Sequence, residues 1–145
     1  MAVIEERADP NKHPPRPACW RSPPRYVVGA DLGQAADPTA ICVLHCYGER
    51  EDPTEPILQR YHVRHLQRMP LGMSYPAIVQ DIGMLLQRPP LSGTAELVVD
   101  ESGVGRAVTD IFRQAGLKPI GVTITGGDSP GEMAGGYRYR VSQFH

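Results

Sequence analysis

Apolar residues gather in short segments along the first half of the chain, and three of these segments predict β-strands. They cover residues 25–32, 39–47 and 57–67. In the third segment apolar residues alternate with basic ones, as on a strand with one apolar and one polar face. Only a short turn separates the first two segments, so we expect an antiparallel meander here.

The apolar spacing then changes to that of a helix. Apolar residues recur every three or four positions over 78–86 and again over 104–112, and each stretch predicts one helix. An apolar strand that ends at Asp100 separates them, and residues 119–124 form a fifth strand. The order β-β-β-α-β-α-β predicts the α/β class, with a mixed five-stranded sheet flanked by helices.

Composition divides the chain into three parts. Residues 1–24 hold six of the 15 prolines, which cannot donate to a sheet ladder, so we expect a disordered tail or linker here. Residues 25–128 are the predicted domain. Residues 129–145 begin with glycine-rich sequence and are predicted as a loop followed by a truncated C-terminus.

Charge and hydrophobicity narrow the functional classes. The chain is 41% hydrophobic, and no apolar run approaches the roughly 20 residues of a membrane helix, so no membrane partner is expected. The first residues lack the pattern of a secretory signal, which favours a cytoplasmic location. Because the net charge is −1, nucleic-acid binding would have to come from local basic patches.

Two carboxylates follow apolar strands in the same way. Asp31 ends the first strand and Asp100 ends the fourth. Adjacent parallel strands bring such ends together, and two ionised carboxylates in one place usually hold a cation or titrate for catalysis. Glu101 points to the opposite face of its strand, so Asp100 is the better candidate. The simpler alternative is that Asp31 only caps the turn that follows it.

Six short motifs are similar, in their order along the chain, to those of the nuclease domain of the large terminase subunit of tailed phages and prophages, which has a ribonuclease H-like fold. They are Gly-Ala-Asp-Leu-Gly-Gln at 29–34, Asp-Pro-Thr-Ala-Ile at 37–41, Tyr-His-Val-Arg at 61–64, Leu-Gly-Met-Ser-Tyr-Pro at 71–76, Val-Asp-Glu-Ser-Gly-Val-Gly-Arg at 99–106 and Thr-Gly-Gly-Asp at 125–128. The resemblance spans residues 26–128.

The resemblance implies a metal-dependent endodeoxyribonuclease that cuts viral DNA during packaging in the bacterial host cell. Two Mg²⁺ or Mn²⁺ ions would serve phosphodiester hydrolysis. Asp31 would bridge the two ions, Asp100 would complete the shell of one, and Asp128 is a weaker third ligand. The implied partners are double-stranded DNA and an ATPase motor subunit or portal protein.

Two parts of that family's machinery are not found in the printed sequence. It contains no Walker phosphate loop, which the motor would need. The third acid that these nucleases take from a helix after the fifth strand is also missing, so we expect a C-terminally truncated domain. Such a chain should bind Mn²⁺ weakly and cut DNA poorly or not at all.

Basic residues near these motifs are candidates for DNA contacts. Arg106 lies where the second helix begins, and free backbone N–H groups there could hold a phosphate. Arg60 and Arg64 in the third strand, with Arg68 directly after it, could form a basic stripe together with His62 and His65. A plain strand-to-helix turn and a solvated edge strand are the simpler explanations of these two patterns.

Other functions fit parts of the same sequence. A junction resolvase could share the fold, although it would need further acids after residue 128. A catalytically inactive module of the fold could bind DNA or a protein partner. The Asp-x-Gly at Asp31 also begins the phosphate loop of sugar-kinase and actin-like ATPase lobes, which would require a second lobe.

Overall fold

A computed structural model describes residues 19–33, 36–125, 131–132 and 138–142. The elements in these ranges are β1 Trp20–Arg21, β2 Arg25–Asp31, β3 Ala40–Arg50, β4 Leu58–Arg68, α1 Tyr75–Leu86, β5 Ala95–Asp100, α2 Arg106–Gln114, β6 Ile120–Thr125, β7 Gly131–Glu132 and β8 Arg138–Ser142. No helix in the described ranges is long and apolar enough to cross a bilayer.

All the strands belong to one mixed sheet with the order β4-β3-β2-β5-β6-β8-β7. The strands β2, β3 and β4 form an antiparallel meander, whereas β5 is parallel to β2, β6 to β5 and β8 to β6. The short β1 continues along the same side of β3 as β2. The predicted α/β class with a mixed sheet is confirmed.

The number of strands differs from the prediction. In the described ranges, six strands have five or more residues, and β1 and β7 have two residues each. Residues 138–142 lie in the stretch predicted as a glycine-rich loop and a truncated C-terminus, and they form β8 and pair with β6. They contain no proline, and a strand pairs through its backbone, so the glycines before them do not prevent pairing.

Strand pairing also begins earlier than predicted. Trp20 and Arg21 pair with Arg50 and Glu49, although residues 1–24 are predicted as a tail or linker. The prolines at 23–24 lie in the connection between β1 and β2, where no ladder hydrogen bond is required of them. The part of the predicted tail before Cys19 lies outside the described residues.

Both helices cover the same face of the sheet, which we call the helix face. Its side chains on β2, Val28 and Ala30, pack with those of α1 and α2 in one hydrophobic cluster. The buried apolar members are Val28, Ala30, Leu32, Ile41, Val43, Met69, Ile78, Val79, Ile82, Leu91, Leu97, Val99, Val108 and Phe112. We call the other side of the sheet the open face, because no described helix lies on it.

The ends of the two helices follow the local sequence. Ser74 precedes α1, and Pro76 lies in its first turn, where a missing N–H removes no helical hydrogen bond. Gly116 follows α2 with φ of 80°, a left-handed conformation that favours glycine, and its N–H donates to the carbonyl of Arg113 at 2.9 Å. Gly116 therefore ends the helix directly after its C-cap residue, Ala115.

A buried carboxylate connects β5, α2 and β6. Glu101 follows β5 on the helix face and is only 4% exposed. It accepts a hydrogen bond of 2.6 Å from the hydroxyl of Thr109 on α2, and its backbone N–H donates to the carbonyl of Val122 at 2.8 Å. Its carboxylate lies directly against Gly121 of β6, where a Cβ atom would overlap it. The glycine therefore makes room for this acid.

We expect Gly121→Ala to destabilise the fold by about 1–3 kcal/mol, because the added methyl overlaps a buried carboxylate that its hydrogen bonds hold in place. Gly29→Ala on β2 is the matched control, since its added methyl meets only ordinary contact, 3.9 Å from the carbonyl oxygen of Cys42. The measurement is urea unfolding of both variants. Equal midpoints would contradict this account of Gly121.

Candidate functional site

The register of the two parallel strands β2 and β5 brings Asp31 and Asp100 together. The two residues are direct partners across the ladder, so their Cα atoms lie about 4.8 Å apart. Their preceding neighbours, Ala30 and Val99, are buried on the helix face. Because successive side chains alternate between faces, both carboxylates belong to the open face, at the carboxyl ends of their strands.

Backbone contacts orient the Asp100 carboxylate. Its Oδ1 accepts a hydrogen bond of 2.8 Å from the N–H of Ser102, which is the usual bond of an aspartate that opens a turn. The hydroxyl of Ser102 in turn accepts a bond of 2.7 Å from the N–H of Ile124 on β6. The turn after β5 is thereby attached to the neighbouring strand.

The turn after Asp31 is closed by other groups. The N–H of Gly33 donates to the hydroxyl of Thr39 at 3.1 Å, and the hydroxyl of Tyr75 donates to the carbonyl of Gly33 at 3.4 Å. A Cβ atom at Gly33 would overlap the backbone of Asp37. These contacts fix the path of the chain beside Asp31, whose side chain is exposed.

A row of residues crosses the open face at the level of the two acids. Asp31 pairs with Ala40 on β3, and Ala40 pairs with Arg68 on β4. Arg68 therefore lies two strands from Asp31, about 10 Å between Cα atoms, with only the methyl of Ala40 between them. Arg68 is the member of the predicted basic stripe that this register places on the row of the acids. Sequence spacing alone does not show this position, because the pairing of three strands determines it.

Two of the predicted DNA-contacting arginines belong to the other face. Arg60 donates to the carboxylate of Glu49 at 2.7 Å, and its ladder partner Tyr47 is on the helix face. Arg64 donates to Nδ1 of His45, also on the helix face, at 3.3 Å. The structure does not bring Arg60 or Arg64 to the two acids.

Arg106 keeps a position that is consistent with its predicted role. It is the first residue of α2 and is exposed, and it follows the turn that Asp100 begins. Gly105 before it has φ of 72°, a conformation that favours glycine, so this position shapes the entry into the helix. The backbone N–H groups of the first turn of α2, which have no partner within the helix, lie at the same end of the sheet as the Arg106 side chain.

The donor chemistry at the two acids is that of sites for hard cations. Two adjacent carboxylates provide oxygen ligands, which Mg²⁺ and Mn²⁺ prefer. Within the described ranges, no group of three His, Cys, Asp or Glu residues could hold a metal ion. Asp128, the weaker predicted ligand, lies outside these ranges. By themselves, the carboxylates of Asp31 and Asp100 could supply only part of a coordination shell.

Comparisons with known proteins assign no function to this site. No family model, curated protein or solved structure matches the chain. The chemistry and the placement of Asp31, Asp100 and Arg68 are the features of this chain that bear on its function.

Proposed function

We propose that this chain contains a ribonuclease H-like nuclease domain of the terminase kind, which hydrolyses DNA with divalent metal ions. The observation that carries the proposal is the pairing of Asp31 with Asp100 on one face, at the carboxyl ends of adjacent parallel strands. The antiparallel meander, followed by the parallel strands β5 and β6 that are each reached through a helix, supports the proposed fold.

In this proposal Asp31 and Asp100 supply carboxylate ligands to Mg²⁺ or Mn²⁺. When bound, such ions activate a water molecule and neutralise the charge on the leaving oxygen of a phosphodiester. The hydrogen bond from Ser102 holds one carboxylate of the pair in position before a metal binds. Preorganisation of this kind lowers the cost of assembling the site.

The DNA backbone would approach the open face near the acids. Arg68 provides a positive charge on the same row as Asp31, and Arg106 provides a second one at the start of α2. Arginine side chains and helix N-termini are common phosphate contacts in protein–DNA complexes. The biological setting we propose is phage DNA packaging, with double-stranded DNA as substrate and an ATPase motor subunit or portal protein as partner.

Neutralising one acid should stabilise the chain when no metal is present. Like charges at directly paired strand positions are destabilising, so we expect Asp31→Asn to raise the free energy of unfolding by about 0.2–1 kcal/mol in EDTA. Adding Mn²⁺ at ten times its Kd should stabilise the wild-type chain by about 1.4 kcal/mol and leave the variant unchanged.

Thermal unfolding with and without Mn²⁺ measures both effects. Glu51→Gln is the control, because it removes a carboxylate from an exposed loop position away from the acid pair. It should respond to Mn²⁺ as the wild type does. A wild-type chain whose unfolding does not respond to Mn²⁺ would contradict the proposed metal site.

Metal-dependent cleavage should be slow and should require both acids. We expect Mn²⁺-dependent nicking of supercoiled plasmid by the wild-type chain, with at least a tenfold loss in Asp31→Asn and in Asp100→Asn, because each variant removes a charged ligand where negative charge develops. Gel analysis of relaxed plasmid is the readout. Nicking at the wild-type rate by both variants would exclude this site as its source.

Removing Arg68 should weaken duplex binding without affecting the metal. Each phosphate contact contributes about 0.9 to the slope of log affinity against log salt, so we expect Arg68→Gln to reduce this slope by about that amount. Arg88→Gln, at an exposed position after α1, is the control. Duplex titrations in Ca²⁺ at several salt concentrations measure the slopes. An unchanged slope in Arg68→Gln would remove this residue from the proposed DNA contact.

A further inference from the structure

Four aromatic rings form a continuous group on the helix face beyond the part that α1 and α2 cover. Tyr26 and His45 are stacked, with ring centroids 5.1 Å apart and planes inclined by 17°. Tyr47 lies 5.2 Å from His45, and His62 lies 5.5 Å from Tyr47 and 6.2 Å from His45. We call these four residues the aromatic row.

The strand registers build this row from distant parts of the sequence. Tyr26 on β2 pairs with His45 on β3, which pairs with His62 on β4. Tyr47 lies two residues after His45 and so projects from the same face. Tyr26 packs against the hydrophobic cluster at one end of the row, and His62 is exposed at the other end. The row thus leads from the core margin to solvent.

Positively charged arginine side chains lie beside the aromatic row. The guanidinium of Arg21 lies over the ring of Tyr47, 4.6 Å from its centroid. Glu49 accepts hydrogen bonds from Arg21 at 3.0 Å and from Arg60 at 2.7 Å, so two guanidiniums share one carboxylate. These contacts hold the two arginines beside the row and leave one uncompensated positive charge.

A third guanidinium contacts the middle of the row. Arg64 donates to Nδ1 of His45 at 3.3 Å. Burial lowers the pKa of His45, and so do the nearby charges of Arg64, His62 and Arg21. A neutral His45 can accept this hydrogen bond, and among the described residues no carboxylate forms an ion pair with Arg64. Three guanidiniums and one carboxylate give the surface two net positive charges.

We propose that the aromatic row and its arginines bind single-stranded nucleic acid. An unpaired base would stack on the exposed ring of His62, and the backbone phosphates would lie against Arg64 and Arg21. Aromatic rings on a sheet with arginines beside them are the usual elements of sequence-tolerant single-strand binding. A duplex keeps its bases stacked inside and offers no free base face to these rings.

This surface is separate from the carboxylate pair. Tyr26 lies five residues before Asp31 on β2, a distance of about 17 Å along the strand, and the two side chains project from opposite faces. Binding here therefore does not rest on the proposed nuclease function. A nucleic-acid strand that is bound on the aromatic row is separated from the acid pair by the sheet itself.

The test is fluorescence anisotropy with a fluorescein-labelled 20-nucleotide oligothymidylate in EDTA at low salt. We expect the wild-type chain to bind it, with affinity that falls as salt is added. Tyr47→Leu and His62→Ala should each weaken binding by about 5- to 150-fold, the equivalent of one lost stacking contact. Arg64→Gln should weaken binding and reduce the salt slope by about 0.7.

Tyr61→Leu is the matched control. Tyr61 is 66% exposed on β4, next to His62, and pairs with Cys46, so it projects from the open face. This variant should bind the oligothymidylate as the wild type does. Because His62 is exposed, its removal leaves the core intact, and circular dichroism verifies the fold of every variant.

Three results would overturn the proposal. These are no binding of the oligothymidylate by the wild-type chain, equal losses in Tyr61→Leu and His62→Ala, or a loss of affinity for a 20-base-pair duplex in His62→Ala as large as its loss for the oligothymidylate. The nuclease proposal is tested separately, by the Mn²⁺ response of unfolding and by plasmid nicking. A failure of one proposal can therefore be distinguished from a failure of the other.

Discussion

The register between β2 and β5 is the constraint on which the candidate site depends. Buried side chains hold this register, because Val28 and Ala30 on β2 and Leu97 and Val99 on β5 all point into the same core. A slip of one residue in either strand would move its apolar side chains to the open face and its carboxylate into the core. An unpaired buried carboxylate is costly, so core packing and the placement of the two acids enforce each other.

The acid that follows Asp100 shows how closely the two faces are coupled. Glu101 lies on the helix face, where Thr109 donates to it and Gly121 leaves it room. Because the side chain of Glu101 is buried on the helix face, the side chain of Asp100, one residue earlier, must point to the open face. Two adjacent carboxylates have different environments, one oriented by a turn and exposed to the open face, the other enclosed between a helix and a strand.

Sequence patterns predict the part of this structure that depends on local alternation. The helices, the strand ends at Asp31 and Asp100 and the separation of Asp100 from Glu101 all follow from periodicity. The pairing partners of short segments do not, which is why β1 and β8 are not predicted. The face of Arg64 is not predictable either, because the ladder between β3 and β4 shifts at Val43 and Leu44 and breaks simple alternation.

The same shift in the ladder between β3 and β4 affects β4, which is an edge strand of the sheet. In the described part of the chain, β4 pairs only with β3, so the outer side of β4 presents unpaired backbone groups that could accept a strand from another molecule. A bulge twists an edge strand such as β4. The eleven residues of β4 also include three arginines, which place like charges where the edges of two copies would meet. Edge-to-edge aggregation through β4 is therefore opposed by the strand's own irregularity and charge, while both of its faces stay available for ligands.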